Sequence, residues 1–246
     1  MIRLVRAEFT KLRTTRLIYG MAAVMAAFAV LTVAANILDR QGAPPLAADS
    51  LPMLVGGPVT LLSGAALLLG ILGMAGEFRH QTVTQTFLVT PDRGRVVAAK
   101  LVAYPLAGIA LALSILAFTA ALATGWLAAK GITPSLLDAR LGRVLLGAVL
   151  AAGLCGLVGV GVAALVRNQV AALVGVLVWV LLVEGLLMSL LNLPSLGKWL
   201  PSAAAAALTN PGGGQLSRLA GTLLLAGYAL ALALAGTRLV VRRDIT

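Results

Sequence analysis

Six apolar runs constrain this chain more than any other feature of its sequence. The runs occupy residues 17–38, 53–75, 101–123, 144–166, 170–191 and 219–241. A helix needs roughly 20 apolar residues to cross the hydrocarbon core of a bilayer, and each run is about that long. Because 60% of the 246 residues are hydrophobic and only 11% are charged, a soluble fold of this size would have more apolar surface than it can bury. The sequence therefore predicts an all-α integral membrane protein with six transmembrane helices in a single domain, 1–246.

Lysine and arginine are distributed unevenly between the two sets of loops. If the N-terminus is inside, 13 of the 19 basic residues lie on the cytoplasmic side and 6 on the other side. Cytoplasmic loops are enriched in basic residues, so both termini are predicted to be cytoplasmic. The net charge of +11 lies mostly between apolar runs, where it suits anionic lipid headgroups. No nucleic-acid partner is expected.

The first sixteen residues have an amphipathic pattern. Apolar residues recur every three or four positions, at Ile2, Val5, Phe9 and Leu12, and basic residues occupy other positions. This spacing predicts an N-terminal helix over 1–16 that lies in the cytoplasmic interface with its apolar side on the membrane. The alternative is an ordinary basic topology signal that happens to be helical.

The loop between the second and third spans, 76–95, is too polar to span the membrane. Its regular spacing of apolar residues is not typical of a flexible linker. Apolar residues one turn apart within 83–88 predict a short helix on the membrane surface. Pro91 ends that element and is predicted to open the next helix, with Thr90 as its cap and Asp92 in its first turn. Such a hairpin suits docking to a soluble partner, and a solvated connector is the alternative.

These features together resemble a known family. The residues that carry the resemblance are Glu8 and Lys11 in the N-terminal stretch, the loop sequence Gly76-Glu77-Phe78-Arg79-His80-Gln81-Thr82, and then Leu88, Pro91, Arg93 and Lys100. The chain resembles the permease subunits of ABC-2 type ABC transporters, the six-span exporter family, and the six-span layout covers essentially its whole length. In that family the first cytoplasmic loop is the coupling helix, which sits in a groove of the ATPase subunit. The resemblance implies that the ATPase-coupling residues are Glu77, Arg79, Thr82, Pro91 and Arg93.

The resemblance also implies partners and a location. It implies a cytoplasmic ABC ATPase subunit that binds ATP and Mg, with no cofactor in this chain, and a homodimer or a heterodimer with a similar permease. The transport direction implied is export. The expected location is the bacterial plasma membrane, with the lipid bilayer as the remaining partner.

Glu184 is the one acidic residue inside a predicted span. A charged residue at depth costs about 2.5–3.5 kcal/mol on insertion scales, and such residues usually face a bundle interior or a cavity. One interpretation is a carboxylate that lines a substrate pathway. The other is a structural glutamate, either protonated and hydrogen-bonded to a neighbouring helix or paired with Lys198.

The stretch after the fifth span, 193–210, is moderately apolar but is interrupted by Pro194 and Pro201. It is too short for another crossing. Half-helices that dip into the outer leaflet, buried against protein, are expected, and the ABC-2 family has a re-entrant extracellular element at this position. A plain loop is the alternative.

Catalytic and nucleotide-binding motifs are missing from the sequence. His80 is the only histidine, Cys155 is the only cysteine, and no Gly-x-x-x-x-Gly-Lys-Ser/Thr loop is present, so neither a metal centre nor a nucleotide site is expected. The chain is therefore expected not to be an enzyme. A membrane-resident immunity or sensor protein that does not transport remains the alternative function.

Overall fold

The described part of the chain is built from helices. The computed structural model describes residues 1–38, 46–79, 92–190, 197–209 and 216–242. In chain order the elements are α1 (Ile2–Thr14), α2 (Arg16–Leu38), a 3-10 turn (Ala48–Ser50), α3 (Leu51–Gly56), α4 (Val59–Arg79), α5 (Arg93–Ala129), α6 (Ala139–Val166), α7 (Gln169–Val178), a π-helical segment (Trp179–Val183), α8 (Glu184–Leu190), α9 (Pro201–Thr209) and α10 (Arg218–Arg242).

Six helical stretches among the described residues are long and apolar enough to cross a membrane. They are Arg16–Leu38, Ala48–Arg79, Arg93–Ala129, Ala139–Val166, Gln169–Leu187 and Arg218–Val241. Each stretch overlaps one of the six predicted runs. The prediction of an all-helical chain with six helices able to span a membrane is confirmed over the part that the structure describes.

The polar loop is shorter than the predicted range of 76–95. Helix α4 continues to Arg79 and α5 begins at Arg93, because polar residues can extend a helix beyond the apolar run that defines a span. The predicted short helix within the loop lies outside the described residues. The prediction that Thr90 caps the next helix with Asp92 in its first turn is wrong, since Asp92 is itself the N-cap and accepts a hydrogen bond from the Arg95 amide at 3.2 Å.

A tight turn joins α6 to α7. Arg167 ends α6 in the left-handed conformation, with φ of 54°, and Asn168 caps α7 by accepting a hydrogen bond from the Ala171 amide at 3.1 Å. An asparagine at this position satisfies one of the free amides of the first helical turn. The two helices therefore pack as neighbours.

Helix α6 lies at the centre of the bundle, packed against α4, α5 and α10. Glycines allow its backbone to touch that of α4: a Cβ added to Gly159 would lie 2.1 Å from the Leu67 carbonyl oxygen, and one added to Gly70 would lie 2.2 Å from the Gly156 carbonyl oxygen. Small residues at helix interfaces permit this close approach. The core therefore depends on backbone contact between α4 and α6 as well as on side chains.

Helices α2 and α7 are at the periphery. In each of their spans only 11% of the most apolar window is buried, against 56% for the stretch Ala48–Arg79. The remaining apolar surface of these two helices is exposed on the described chain. It is available to lipid or to another protein.

Helix α9 packs between α6 and α10. The Leu208 carbonyl lies where a side chain at Gly147 would be, and Ala207 lies against Gly221. The predicted outer segment 193–210 therefore contains a helix that is covered by protein, although 193–196 and 210 lie outside the described residues. Its re-entrant placement in a membrane stays a prediction.

Helix α1 packs on α5. Leu12 is buried against the core, whereas Ile2 is exposed. The apolar side of the helix is thus covered by protein at Leu12 and uncovered at Ile2. Its position at a membrane interface stays a prediction.

Candidate functional site

Three helices bring polar side chains to one buried place, and two of them present a pair of these side chains about one turn apart on a single face. Helix α1 supplies Glu8 and Lys11, which are three positions apart. Helix α4 supplies Glu77, and helix α5 supplies Lys100 and Tyr104, which are four positions apart. Side chains spaced by three or four residues lie on the same face of a helix. These five residues are called the charge network below.

The four charged groups of the network alternate in sign around a closed ring. The Lys11 ammonium lies 2.8 Å from Glu8 Oε1 and 2.6 Å from Glu77 Oε1. The Lys100 ammonium lies 2.9 Å from Glu8 Oε2 and 2.9 Å from Glu77 Oε1. Each lysine therefore bridges both carboxylates, and the ring joins α1 to α4 and α5 with no net charge.

Lys100 is the most deeply buried member, with a side chain that is 1% exposed. It donates hydrogen bonds to Glu8 Oε2 at 2.9 Å and to the Gly73 carbonyl at 3.1 Å, and it forms an ion pair with Glu77. Because it is bound to groups from α1 and α4, Lys100 is suited to holding the helices together.

Tyr104 closes the network from the side of α5. Its hydroxyl donates to Glu8 Oε2 at 3.1 Å, and Lys100 Nζ lies 5.5 Å from the centre of its ring. The ring occupies the space beside Gly73, where an added Cβ would fall 1.9 Å from Tyr104 Cε1. The glycine in α4 is thus what lets the tyrosine reach the network.

Electrostatics keep the α1 members of the network ionised. Burial alone would raise the pKa of Glu8, but the charges and hydrogen bonds of Lys100 and Lys11 outweigh burial and lower it below its ordinary value. Burial would lower the pKa of Lys11, but hydrogen bonds to Glu77 and Glu8 outweigh it and raise that pKa. Both shifts favour the charged forms, as expected when opposite charges are held within hydrogen-bonding distance.

The residues implied to contact an ATPase are placed as follows. Glu77 belongs to the charge network, Arg79 is the exposed last residue of α4, and Arg93 is the first residue of α5. Thr82 and Pro91 lie outside the described residues. The network therefore lies next to both ends of the segment 80–91, since Glu77 comes just before it and Lys100 two turns after it.

Sequence reasoning did not assign Glu8, Lys11, Lys100 or Tyr104 to a common site, although the first three contributed to the family resemblance. One signal was present: Glu8 is the only acidic residue among the first sixteen, which carry five basic residues. A second signal was a lysine at the edge of the third apolar run. Glu8 and Lys100 are 92 positions apart in the chain, so neither signal indicates that the two residues meet.

Glu184 lies at the junction of the π-helical segment and α8. Its carboxylate accepts hydrogen bonds from Trp179 Nε1 at 2.8 Å and from the Ser202 hydroxyl of α9. The wider turn of a π-helix places Trp179, five residues earlier, on the same face as Glu184. The predicted alternative of a pair with Lys198 is wrong, since the Lys198 ammonium instead lies 5.9 Å from the centre of the Trp199 ring and makes no described ion pair with Glu184.

The same glutamate lines a cavity of about 530 Å³ between α4, α6, α7, α9 and α10. The wall is almost entirely apolar, and includes Leu67, Val158, Val176 and Leu232. Glu184 itself is 3% exposed. It accepts a hydrogen bond from the neighbouring helix α9 and lines the cavity. Its role in a substrate pathway stays a prediction.

Comparison of the sequence with models of known protein families gives no match, and comparison with curated proteins gives no significant match. The described residues contain no group of three or more histidine, cysteine, aspartate or glutamate side chains able to hold a metal ion.

Proposed function

We propose that this protein is the membrane-spanning permease subunit of an ABC-2 type transporter that exports a substrate by using a separate cytoplasmic ATPase subunit. ATP and Mg bind to that partner. The resemblance of the N-terminal stretch and the loop 76–95 supports the family, and the six apolar helices fit its layout.

One observation carries the proposal: the charge network fastens α1, α4 and α5 together beside the segment 80–91. A permease must convert movement of a soluble ATPase into movement of its spans. The segment 80–91 follows Glu77 of α4 and precedes Lys100 of α5, and both residues form ion pairs with α1. A displacement of this segment would therefore move the three helices together. A solvated connector would need no such buried ion pairs at its ends.

In the proposed mechanism, closure of two ATP-bound ATPase subunits presses on the segments 80–91 of two permease chains. The charge network makes α1, α4 and the first turns of α5 move as a unit. The bundle then switches between inward-facing and outward-facing arrangements, as packed interfaces do when they have two discrete states. The exposed apolar sides of α2 and α7 are open to the second permease or to lipid.

The test is co-purification of the ATPase from the native membrane in mild detergent, with mass spectrometry of the associated proteins. The variant Arg79→Glu/Arg93→Glu reverses two charges next to the segment 80–91. It should lose the ATPase while inserting into the membrane normally. The matched control Lys130→Glu/Arg143→Glu reverses two exposed charges, one at the C-terminal end of α5 and one near the N-terminal end of α6. This control should retain the ATPase.

Two outcomes would overturn the proposal. If the Arg79→Glu/Arg93→Glu variant binds the ATPase as well as the wild type does, the segment is not the coupling element. If the wild-type chain is recovered without any ATPase in several detergents, the permease function is wrong and a non-transporting immunity or sensor protein takes its place.

A further inference from the structure

The cavity beside Glu184 is long and narrow. Along the fifth span it is lined from Ala171 to Glu184, a distance of roughly 20 Å at the helical rise of 1.5 Å per residue. Along α6 it is lined from Cys155 to Val166. A volume of about 530 Å³ spread over that length suits an extended chain better than a round molecule.

The cavity has one acidic end. Among the described lining residues Glu184 is the one carboxylic acid, and none is a lysine, arginine or histidine. Glu184 is also the last described lining residue of the fifth span. Elsewhere the polar lining includes the hydroxyl groups of Thr60, Ser63 and Thr209. The carboxyl group of the described lining therefore lies at the end where α8 meets α9.

No basic residue of the described chain neutralises Glu184. Its two described donors, the Trp179 indole and the Ser202 hydroxyl, are both neutral, and the described ion pairs involve Glu8, Glu77, Asp92 and Asp49 instead. A buried carboxylate that lacks a counter-charge is costly unless a cation pairs with it.

We propose that the cavity binds a single-chain cationic amphiphile, with its cationic head against Glu184 and its apolar chain along α7. The apolar wall recognises the chain, and the carboxylate recognises the head. The Trp179 ring, held beside Glu184 by its hydrogen bond, offers a second favourable contact to a cation. The proposal rests on the proposed function only in one respect, namely that such a molecule would be the exported substrate.

The test measures binding of two radiolabelled probes to the purified full chain in phosphatidylcholine nanodiscs, with empty nanodiscs as background. The probes are dodecyltrimethylammonium and dodecanol, which share a chain and differ in charge. The wild type should bind dodecyltrimethylammonium saturably and more tightly than dodecanol. The variant Glu184→Gln keeps the size and shape of the side chain, and its amide oxygen can still accept from Trp179 Nε1 while its NH2 donates to the Ser202 hydroxyl. It should weaken binding of the cation by roughly tenfold or more without changing the binding of dodecanol.

A second pair of variants locates the chain. Gly64 lines the cavity and a Cβ there would meet nothing within 4 Å, so Gly64→Leu should fold and fill part of the space. It should weaken binding of both probes. Gly125 also has open space around it but does not line the cavity, and Gly125→Leu should bind both probes as the wild type does.

Three results would overturn the inference: no saturable binding above empty nanodiscs, equal affinity of the wild type for both probes, or an unchanged affinity of Glu184→Gln for the cation. The binding assay contains no ATPase. Failure of ATPase co-purification would therefore reject the proposed function without touching this site, and failure of binding would reject this site without touching the proposed function.

Discussion

At the residue scale, Lys100 shows how a chain with so few charges uses them. Its ammonium is out of contact with solvent, and it is bound by two carboxylates and one carbonyl. Removing charges from water is costly, and only complete pairing offsets that cost. The ring of four charges is therefore a set that is stable as a whole and vulnerable to the loss of any one member.

The variant Lys100→Met should lower the free energy of unfolding by about 3–5 kcal/mol, since it leaves two carboxylates near each other with one remaining lysine. Thermal denaturation of the purified protein in detergent would measure the loss. Lys130→Met, which removes an exposed lysine, is the control and should be nearly neutral. A Lys100→Met protein as stable as this control would show that the charge network does not hold the helices together.

Stability should also depend on pH in a way that Glu8 and Lys11 determine. The pKa of Glu8 is lowered below 4.5 on folding. The stabilisation that its ionised carboxylate gives the folded state is therefore present above about pH 4.5 and is lost as the pH falls through the folded pKa. The pKa of Lys11 is raised above 10.5, so its contribution is complete below that pH and is lost as the pH rises through the folded pKa.

We therefore expect the gap in melting temperature between the wild type and Glu8→Gln to be constant from about pH 6 to pH 9 and to narrow below about pH 4. Melting curves of both proteins over this range would show it. A gap that stays unchanged or widens in acid would contradict the assignment of Glu8 as an ionised partner of the two lysines.

At the element scale, the contact between α4 and α6 depends on the absence of side chains. A Cβ at Gly159 would collide with the Leu67 carbonyl, which is backbone and cannot rotate away. The π-helical segment Trp179–Val183 is a second case, because it aligns Trp179 with Glu184 on one face. The glycine and the π-helical segment both depart from a regular helix with side chains at every position. Each departure permits a contact with another group.

The variant Gly159→Leu should separate α4 from α6 and lower the free energy of unfolding by about 1–3 kcal/mol or more, as overpacked cores do. Gly142→Leu, at a position in α6 where a Cβ would meet nothing within 4 Å, is the matched control. The two melting temperatures in detergent should differ clearly. Equal melting temperatures would indicate that these backbones do not touch.

At the scale of the whole molecule, the six spans and the distribution of basic residues predict both termini on the cytoplasmic side. In a Cys155→Ala background, a cysteine at the exposed position Ser135, between α5 and α6, should react with a membrane-impermeant maleimide on intact cells. A cysteine at the exposed position Thr14 should react only after the cells are permeabilised. The reverse pattern would invert the topology and place the segment 80–91 on the wrong side for an ATPase.

The number and approximate position of the helices able to span a membrane were predictable from the sequence, because bilayer thickness sets the length that such an apolar helix needs. The ends were less predictable. Helix α5 covers Arg93–Ala129, well beyond the apolar run 101–123, since polar turns extend a helix outside the hydrocarbon without changing the hydrophobic signal. The cap at Asp92 in place of Thr90 is an error of the same kind.

The class of the protein, the six apolar helices and the position of Glu184 as the one acidic residue in a span can be read from the sequence, because they depend on composition and on the period along one helix. The ring of Glu8, Glu77 and Lys100 and the contact of Glu184 with Ser202 beside a cavity depend on the tertiary structure. Side chains 92 or 18 positions apart meet through the packing of whole helices. That packing is set by many weak contacts and by the close approach that glycines permit, and no local pattern in the chain records it.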